Sequence, residues 1–338
     1  MTFSLVTYWG GPSYRWGGPS GQVAAAGEDR GYQAKSAASL RRLLKTATPL
    51  TSPNVDNWSN PLAASTLVPD ATSADPRLMS YDAAVRQAIV VNELASAIGL
   101  RAAVGTLGLE AAGHVIAALA DPTGLLQSET TFVEAIADDI DAGQAPLPIE
   151  QLVDEDLRPL LPYRPVLGLS PASHPATFEV LDVAMVVLGA KIFSLKHQFG
   201  IPRPHTAPRG VVPMLDVPTH LAYPGGHAAQ CYLAATLLAA ARPSVAGLLL
   251  DVAGIVADNR VRAGLHYALD SAAGEVLGRA LGNWLVAAAA DPASPEVWEG
   301  AELKFHAGRM QRNPLSQVSG TPDLPNWRAL VLAASQEW

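Results

Sequence analysis

The sequence predicts an all-α fold, a single large helical-bundle domain, and three observations support this prediction. The chain has 338 residues, of which 49% are hydrophobic and 16% are charged, so it can bury a substantial core. Alanine, leucine and valine are abundant while aromatic residues make up 6% of the chain, and this composition favours helices over sheet. Apolar residues also recur at helical spacing in several segments.

Residues 1–177 are predicted to form an N-terminal arm followed by a helical scaffold. The arm contains Trp-Gly-Gly-Pro-Ser twice, at 9–13 and 16–20, and its glycines and prolines exclude helix and favour turns. We expect an ordered arm that packs its tryptophans on the body, with a substrate lid or a subunit-swapping arm as alternatives. A short helix is expected over 34–44 and a long loop over 49–76.

A long helix is expected to start at 80–82 and to continue through Ile98 and beyond, because apolar residues recur there at helical spacing. Three glycines could interrupt it: Gly99, Gly105 and Gly108. Another helix is expected over 132–140. Its end has three carboxylates that could suggest a divalent metal: Asp138, Asp139 and Asp141. A solvated helix face is the preferred interpretation, because no glycine-bearing calcium loop follows.

Residues 178–290 are predicted to form a catalytic helical core, after an irregular proline-rich connector at 143–175. Four helices are expected in the core: 178–199, 226–242, 244–263 and 271–290. Cys231 is expected to be a small buried residue on the second of them. Residues 291–338 are predicted to form a C-terminal helix over 295–311 and a tail with a short helix at 327–335. The three parts together are expected to make one compact domain.

Charge and composition exclude several classes of protein. A formal net charge of -8 argues against non-specific nucleic-acid binding, because such binding needs a basic face. The single cysteine, Cys231, excludes an internal disulfide and a cysteine-rich zinc site. Neither a signal peptide nor an apolar run long enough to span a membrane is apparent. We therefore expect a cytoplasmic protein without membrane insertion.

The sign of the charge is reversed between Lys191 and His266. This span holds seven lysines or arginines and three acids, a local charge of +4 in an acidic chain. Arginine offers a planar fork that matches two oxygens of phosphate or vanadate, and lysine offers a point charge to a third. The charge pattern therefore predicts an oxyanion site within this span.

Glycines and histidines in the same span suggest how the site is built. Gly225 and Gly226 precede a helix expected to begin near His227, and free N–H groups at a helix start can hold an anion. His266 and Asp270 are four residues apart, so on a helical turn the carboxylate would hold one imidazole nitrogen as N–H. The other nitrogen would direct its lone pair at the bound atom, as a nucleophile on phosphorus or a ligand of vanadium must.

Three motifs in order resemble the phosphatidic acid phosphatase type 2 superfamily, which includes the vanadium-dependent haloperoxidases and the bacterial class A acid phosphatases. The family pattern is Lys, six residues, Arg-Pro; then Pro-Ser-Gly-His; then Ser-Arg, five residues, His. The matching segments, which span about 75 of the 338 residues, are Lys196 with Arg203-Pro204, Pro224-Gly225-Gly226-His227, and Asn259-Arg260 with His266. Glycine replaces serine in the second motif, and asparagine replaces serine in the third.

The resemblance implies which groups hold the oxyanion. Lys196, Arg203 and Arg260 would bind its oxygens, helped by the backbone N–H of Gly226. Gly225 lacks the hydroxyl that the family's serine donates, so its own N–H or a water would have to compensate. The loss of one charge-assisted hydrogen bond costs about 1.5–3 kcal/mol.

The resemblance also implies the chemistry of the histidines. His266 would be the vanadium ligand in a peroxidase or the nucleophile in a phosphatase, and Asp270 would orient it. His227 would be the general acid–base. His220 lies seven residues before His227, as a histidine does in the bromide-type haloperoxidases, and is a further catalytic candidate.

The leading hypothesis is a vanadate-dependent haloperoxidase that uses hydrogen peroxide, bromide or iodide, and a small organic substrate. Phosphate could occupy the vanadate site, so a soluble phosphohydrolase acting on a phosphate ester through a phosphohistidine is the first alternative. The second alternative is an oxyanion-binding homologue with lost or changed activity, which the replacements at Gly225 and Asn259 suggest. Exposed apolar helix faces would favour a homodimer, although the sequence specifies no face for it.

Overall fold

The structure, a computed structural model, describes residues 49–56, 71, 73–143, 161–207, 211–290 and 297–338. The predicted repeat arm and the helix expected over 34–44 lie outside the described residues, as does part of the connector at 143–175. The described part of the segment 49–76 has turns and bends and no helix or strand, as expected for a loop.

The fold is not all-α, because helices pack on a five-stranded mixed sheet. The described helices are α1 Ala83–Ala97, α2 Leu126–Asp141, α3 Arg164–Leu167, α4 Pro175–Phe199, α5 Gly226–Ala241, α6 Ala246–Arg262, α7 Ala268–Ala288 and α8 Pro325–Ser335. The four core helices predicted between 178 and 290 are confirmed as α4 to α7, and the predicted helices over 132–140 and 327–335 lie in α2 and α8.

The sheet joins residues 99–120 to residues 297–319. Its strands, in spatial as well as chain order, are β1 Gly99–Ala103, β2 Thr106–Ala111, β3 His114–Ala120, β4 Val297–His306 and β5 Arg309–Ser319. The β1–β2, β2–β3 and β4–β5 pairs are antiparallel. The central pair is parallel, with Ala117 opposite Ala301 and Leu119 opposite Leu303.

The strands overturn two helix predictions. The helix expected to continue beyond Ile98 ends at Ala97, and the chain then forms β1 to β3. The helix expected over 295–311 is wrong, because this segment forms β4 and the start of β5. In β3, residues 116–120 are all buried, so the alternation of polar and apolar residues that marks a half-exposed strand is missing.

Two of the turns between the strands have sequences that do not indicate a hairpin. Ala112 and Gly113 have φ values of 50° and 76°, and Ala307 and Gly308 have φ values of 48° and 85°. Two consecutive residues with positive φ are typical of a type I′ hairpin turn, for which Asn-Gly or Asp-Gly is the usual sequence. Alanine rarely adopts positive φ, so Ala-Gly gave little indication of a hairpin.

Three glycines allow α7 to pack closely on α5. Gly274, Gly278 and Gly282 lie four residues apart on α7, and a Cβ added at each would collide with α5. At Gly274 the added Cβ would lie 2.5 Å from the carbonyl oxygen of Gly225, and at Gly282 it would lie 2.7 Å from the Cβ of Thr236. This close packing keeps the first turns of α5 and α7 near each other and so positions the predicted site.

Two smaller predictions are confirmed. Cys231 is fully buried on α5. Asp138, Asp139 and Asp141 are exposed at the end of α2, as a solvated helix face requires. Within the described part of the chain, no helix combines the length and the apolar character needed to cross a membrane.

Candidate functional site

Lys196 lies in the last turn of α4, which ends where Gly200 adopts a φ of 70°. The side chain is buried, and its ammonium donates hydrogen bonds to the carbonyl oxygens of Leu221 and Ala222 at 2.8 and 2.5 Å. Among the described residues it forms no salt bridge. Its positive charge is therefore held beside the turn that precedes α5.

Arg203 connects that turn to the loop before α7. Its Nε donates to the carbonyl oxygen of His220 at 2.9 Å, and Nη1 donates to the carbonyl oxygen of Leu265 at 2.8 Å. Nη1 also lies 3.2 Å from Nε2 of His266. Because Arg203 is buried and held at both ends, its guanidinium has a defined orientation toward His266.

The expected contact between His266 and Asp270 is present. Nδ1 of His266 lies 2.8 Å from Oδ2 of Asp270, and the same oxygen accepts a hydrogen bond from the Tyr267 N–H at 2.9 Å. A carboxylate acceptor places the imidazole proton on Nδ1, so Nε2 retains its lone pair. Burial lowers the pKa of His266 well below its ordinary value, and the positive charges of Arg203 and Lys196 lower it further. The imidazole is therefore neutral, with Nε2 directed toward the cations.

Asp270 and Lys196 have opposite charges that interact within the buried site. Burial raises the pKa of Asp270, and the charge of Lys196 opposes that shift. Burial lowers the pKa of Lys196, and the charge of Asp270 opposes that shift. Oδ1 of Asp270 is buried and has no hydrogen-bond partner within the described part of the chain.

The start of α5 supplies the predicted N–H cradle with one difference. Gly226 is the first residue of α5, and a Cβ added there would meet no atom within 4 Å. The Gly225 N–H, in contrast, donates to the carbonyl oxygen of Asp270 at 2.8 Å. A Cβ at Gly225 would lie 2.7 Å from the same oxygen, so a serine does not fit without a shift of the backbone.

The other two predicted site histidines, His227 and His220, also lie close to this cluster. His227 is half-buried in the first turn of α5, and its charge contributes to lowering the pKa of His266. Nδ1 of His220 lies 3.2 Å from Nη2 of Arg203, and the rings of His220 and Phe193 form a T-shaped pair with 5.1 Å between centroids. Burial lowers the pKa of His220 to about 4, and Lys196 contributes to this shift, so the ring is neutral at pH 7.

Arg260 and Asn259 lie in the last turn of α6 and are buried. The positive charge of Arg260 is among the causes that lower the pKa of His266. Asn259, in the position of the family's third-motif serine, accepts a hydrogen bond from Arg262 at 3.2 Å through its side-chain oxygen. Asn259 thus takes part in the end of α6, where Arg260 is placed.

The structure brings the predicted cations, histidines and Asp270 together, and it adds contacts that the motifs did not predict. Main-chain carbonyl oxygens of the loops at 220–222 and 265 orient Lys196 and Arg203. Such partners depend on loop conformation and have no signature in side-chain identity. The site combines buried cations and the open helix start at Gly226, which can bind the oxygens of an oxyanion, with the lone pair of His266, which can bind its central atom. This donor set suits a tetrahedral or trigonal oxyanion such as phosphate or vanadate.

Comparison with known families is consistent with this donor set. Residues 179–292 match the sequence model of the PAP2 superfamily, and this span contains all three motifs. Members of that superfamily are generally enzymes. A comparison with curated proteins found no match.

Proposed function

Because residues 179–292 match the sequence model of the PAP2 superfamily, we propose that this protein is an enzyme that acts on an oxyanion held at His266, and that it is a vanadate-dependent haloperoxidase. The observation that favours the peroxidase is His220. This histidine, typical of the bromide-type haloperoxidases, contacts Arg203, which itself contacts His266. The proposed substrates are hydrogen peroxide, bromide or iodide, and a small organic acceptor.

In this proposal the cofactor is vanadate, and the residues at the site fit it. Lys196, Arg203 and Arg260 would hold its oxygens, and Nε2 of His266 would be its ligand. Bound vanadate supplies Lewis-acid chemistry that makes hydrogen peroxide electrophilic toward halide.

The remaining steps belong to the protein. Asp270 keeps the proton on Nδ1 of His266, so that Nε2 stays available as a ligand. His227, half-buried beside the Gly226 N–H, accepts a proton from the incoming peroxide and returns one to the departing oxygen. His220 is neutral and packs on Phe193, so it can donate or accept a hydrogen bond near Arg203 without adding positive charge.

The test is bromination of a phenol by the vanadate-loaded protein with hydrogen peroxide and bromide. We expect activity in the wild type, none in His266→Ala, and reduced activity with retained vanadate affinity in His220→Gln. His306→Ala changes an exposed histidine at the end of β4 and is the matched control, expected to retain full activity. Equal bromination by the wild type and His266→Ala would contradict the proposal.

A second candidate is hydrolysis of phosphate monoesters, and the neutral His266 held by Asp270 favours it. Nε2 would attack phosphorus and form an N–P bond while the ester P–O bond breaks, with His227 giving its proton to the leaving alcohol. Water would then attack phosphorus, His227 would take the proton, and cleavage of the N–P bond would release phosphate. The protein, the ester and one water molecule supply every group in these two steps.

The phosphatase is tested by phosphate release from a small aryl phosphate and by trapping an acid-labile phosphohistidine. His227→Gln is expected to slow release from poor leaving groups most, since they depend on the proton. Absence of both release and trapped phosphohistidine across acid to neutral pH would exclude this candidate. Vanadate binding at His266 with neither activity would indicate the oxyanion-binding homologue instead.

A further inference from the structure

Glu129 is a fully buried carboxylate on α2, and it lies outside the segment that matches the superfamily. Its Oε1 accepts hydrogen bonds from Oγ of Ser52 at 2.7 Å and from Nδ2 of Asn54 at 2.8 Å. Its Oε2 accepts a hydrogen bond from the backbone N–H of Leu269 at 3.2 Å. Two donors from the segment 49–56 therefore fix the carboxylate, and its second oxygen binds a donor on α7.

The third donor belongs to the first turn of α7, between His266 and Asp270. N–H groups in a first turn have no partner within their own helix, and a negative charge at a helix start is favoured by the helix dipole. Glu129 thus supplies a charged acceptor to an N–H group that lies between His266 and Asp270.

We propose that Glu129 is a positioning residue for the pair of His266 and Asp270. By holding the Leu269 N–H, it fixes the first turn of α7 and therefore the position of the Asp270 carboxylate that holds Nδ1 of His266. The same turn provides the carbonyl oxygen that accepts the Gly225 N–H, so the start of α5 is aligned with it. The inference rests on the proposed function in one respect, the use of His266 Nε2 as the atom that binds the oxyanion.

The chain offers two matched controls, because two other carboxylates bind helix starts in the same way. Glu93 accepts from the Asn326 and Trp327 N–H groups at the start of α8, at 3.1 and 2.7 Å. Glu337 accepts from the Ala176 and Thr177 N–H groups at the start of α4, at 2.7 and 2.9 Å. Neither helix start holds a predicted site residue; Lys196 lies at the opposite end of α4.

The experiment compares Glu129→Gln with Glu93→Gln and Glu337→Gln in the full chain. Each change keeps the side-chain size and removes the charge from a helix start. Vanadate affinity is measured by calorimetry, and the proton on Nδ1 of His266 is observed by NMR and assigned by its loss in His266→Gln. All three variants are expected to melt at lower temperature. Only Glu129→Gln is expected to move the Nδ1 proton resonance and to weaken vanadate binding, by about 10–100-fold.

Glu129 would be a merely structural cap if its variant kept the wild-type resonance and affinity, or if all three variants lost affinity in proportion to their melting temperatures. Ser52→Ala supplies the same test should Glu129→Gln not fold, since it removes one of the two hydrogen bonds that hold Oε1 of Glu129 and is expected to move the same resonance. The resonance needs no turnover. A shifted resonance in a protein without bromination or phosphate release would therefore reject the proposed reaction and retain the positioning role.

Discussion

At the scale of single residues, the role of Gly225 in the structure differs most from the role that the sequence suggests. Where the superfamily has serine, the chain has glycine, and the sequence suggests a lost hydroxyl donor that the Gly225 N–H or a water would replace. In the structure, the Gly225 N–H binds the Asp270 carbonyl oxygen at 2.8 Å, and a Cβ would lie 2.7 Å from that oxygen. The glycine therefore permits a direct link between the start of α5 and the first turn of α7.

Restoring serine at this position is expected to weaken oxyanion binding. Gly225→Ser and Gly225→Ala should both weaken vanadate affinity and lower stability by about 1–3 kcal/mol, because either Cβ separates α5 from Asp270. Calorimetric titration and thermal melting measure the two effects. Gly247→Ala is the control, since a Cβ there meets no atom within 4 Å. Tighter vanadate binding by the serine variant than by the wild type would show that the hydroxyl dominates.

A second residue-scale prediction concerns Asp258 on α6, which accepts a hydrogen bond from the Leu50 N–H at 2.8 Å. Burial raises its pKa to about 6. The folded protein thus holds this proton more tightly than the unfolded chain, so the stabilising contribution of the protonated form is lost as pH rises from about 4 through 6. Asp258→Asn should abolish this loss and stabilise the protein above pH 6 by about 1–2 kcal/mol, allowing for partial exposure.

Urea unfolding at pH 5 and pH 8 measures the effect of Asp258→Asn. Asp251→Asn removes an exposed carboxylate from the same helix and should leave the pH dependence as in the wild type. A variant at Asp258 with unchanged pH dependence would mean that this carboxyl keeps an ordinary pKa.

At the scale of secondary-structure elements, the helices of the site were predictable and the strands were not. The helix ending at Lys196–Gly200 and the helix beginning at Gly226 have local determinants, a positive-φ glycine and a pair of small residues. The spacing of the three motifs depends on those elements, so the cations and histidines of the site could be identified. The strand β3 is buried on both faces, and the hairpin that joins it to β2 turns on Ala-Gly, so its conformation is determined by tertiary packing.

The sequence also does not predict contacts between elements that are far apart along the chain. Glu129 has no motif around it, and its partners Ser52 and Leu269 are 77 and 140 residues away. The Gly225 N–H binds the carbonyl oxygen of Asp270 instead of an oxyanion. Every residue has such a main-chain oxygen, so the identity of Asp270 does not indicate this contact. A single sequence contains no pattern that predicts either contact.

The packing of α7 on α5 gives a prediction at this scale. A Cβ at Gly278 would overlap the carbonyl oxygen of Ala229, so Gly278→Ala must separate the two helices. We expect a loss of about 1–3 kcal/mol in the free energy of unfolding, measured in urea. The matched change Gly247→Ala on α6 should instead add about 0.5–1 kcal/mol, because alanine favours helix over glycine. Equal effects of the two changes would argue against close packing at Gly278.

At the scale of the whole molecule, the sheet couples residues 99–120 and 297–319 to the site. The parallel pairing of β3 with β4 joins residues 114–120 to residues 297–306. Both strands contact α7, which also packs on α5. Buried apolar residues of the scaffold, the site helices and the C-terminal hairpin belong to one continuous cluster. A change in the sheet should therefore reach the oxyanion site through α7.

Gly300 on β4 allows this coupling to be tested. A Cβ there would lie 2.7 Å from the carbonyl oxygens of both Val115 and Ile116, so Gly300→Ala should disturb the junction of β3 and β4. Because the core is continuous, scanning calorimetry should show one unfolding transition at a lower temperature, and added vanadate should raise that same transition. Lys304→Ala, at an exposed position of β4, should leave the transition near its wild-type temperature. Two transitions, only one of which responds to vanadate, would show that the sheet and the site unfold independently.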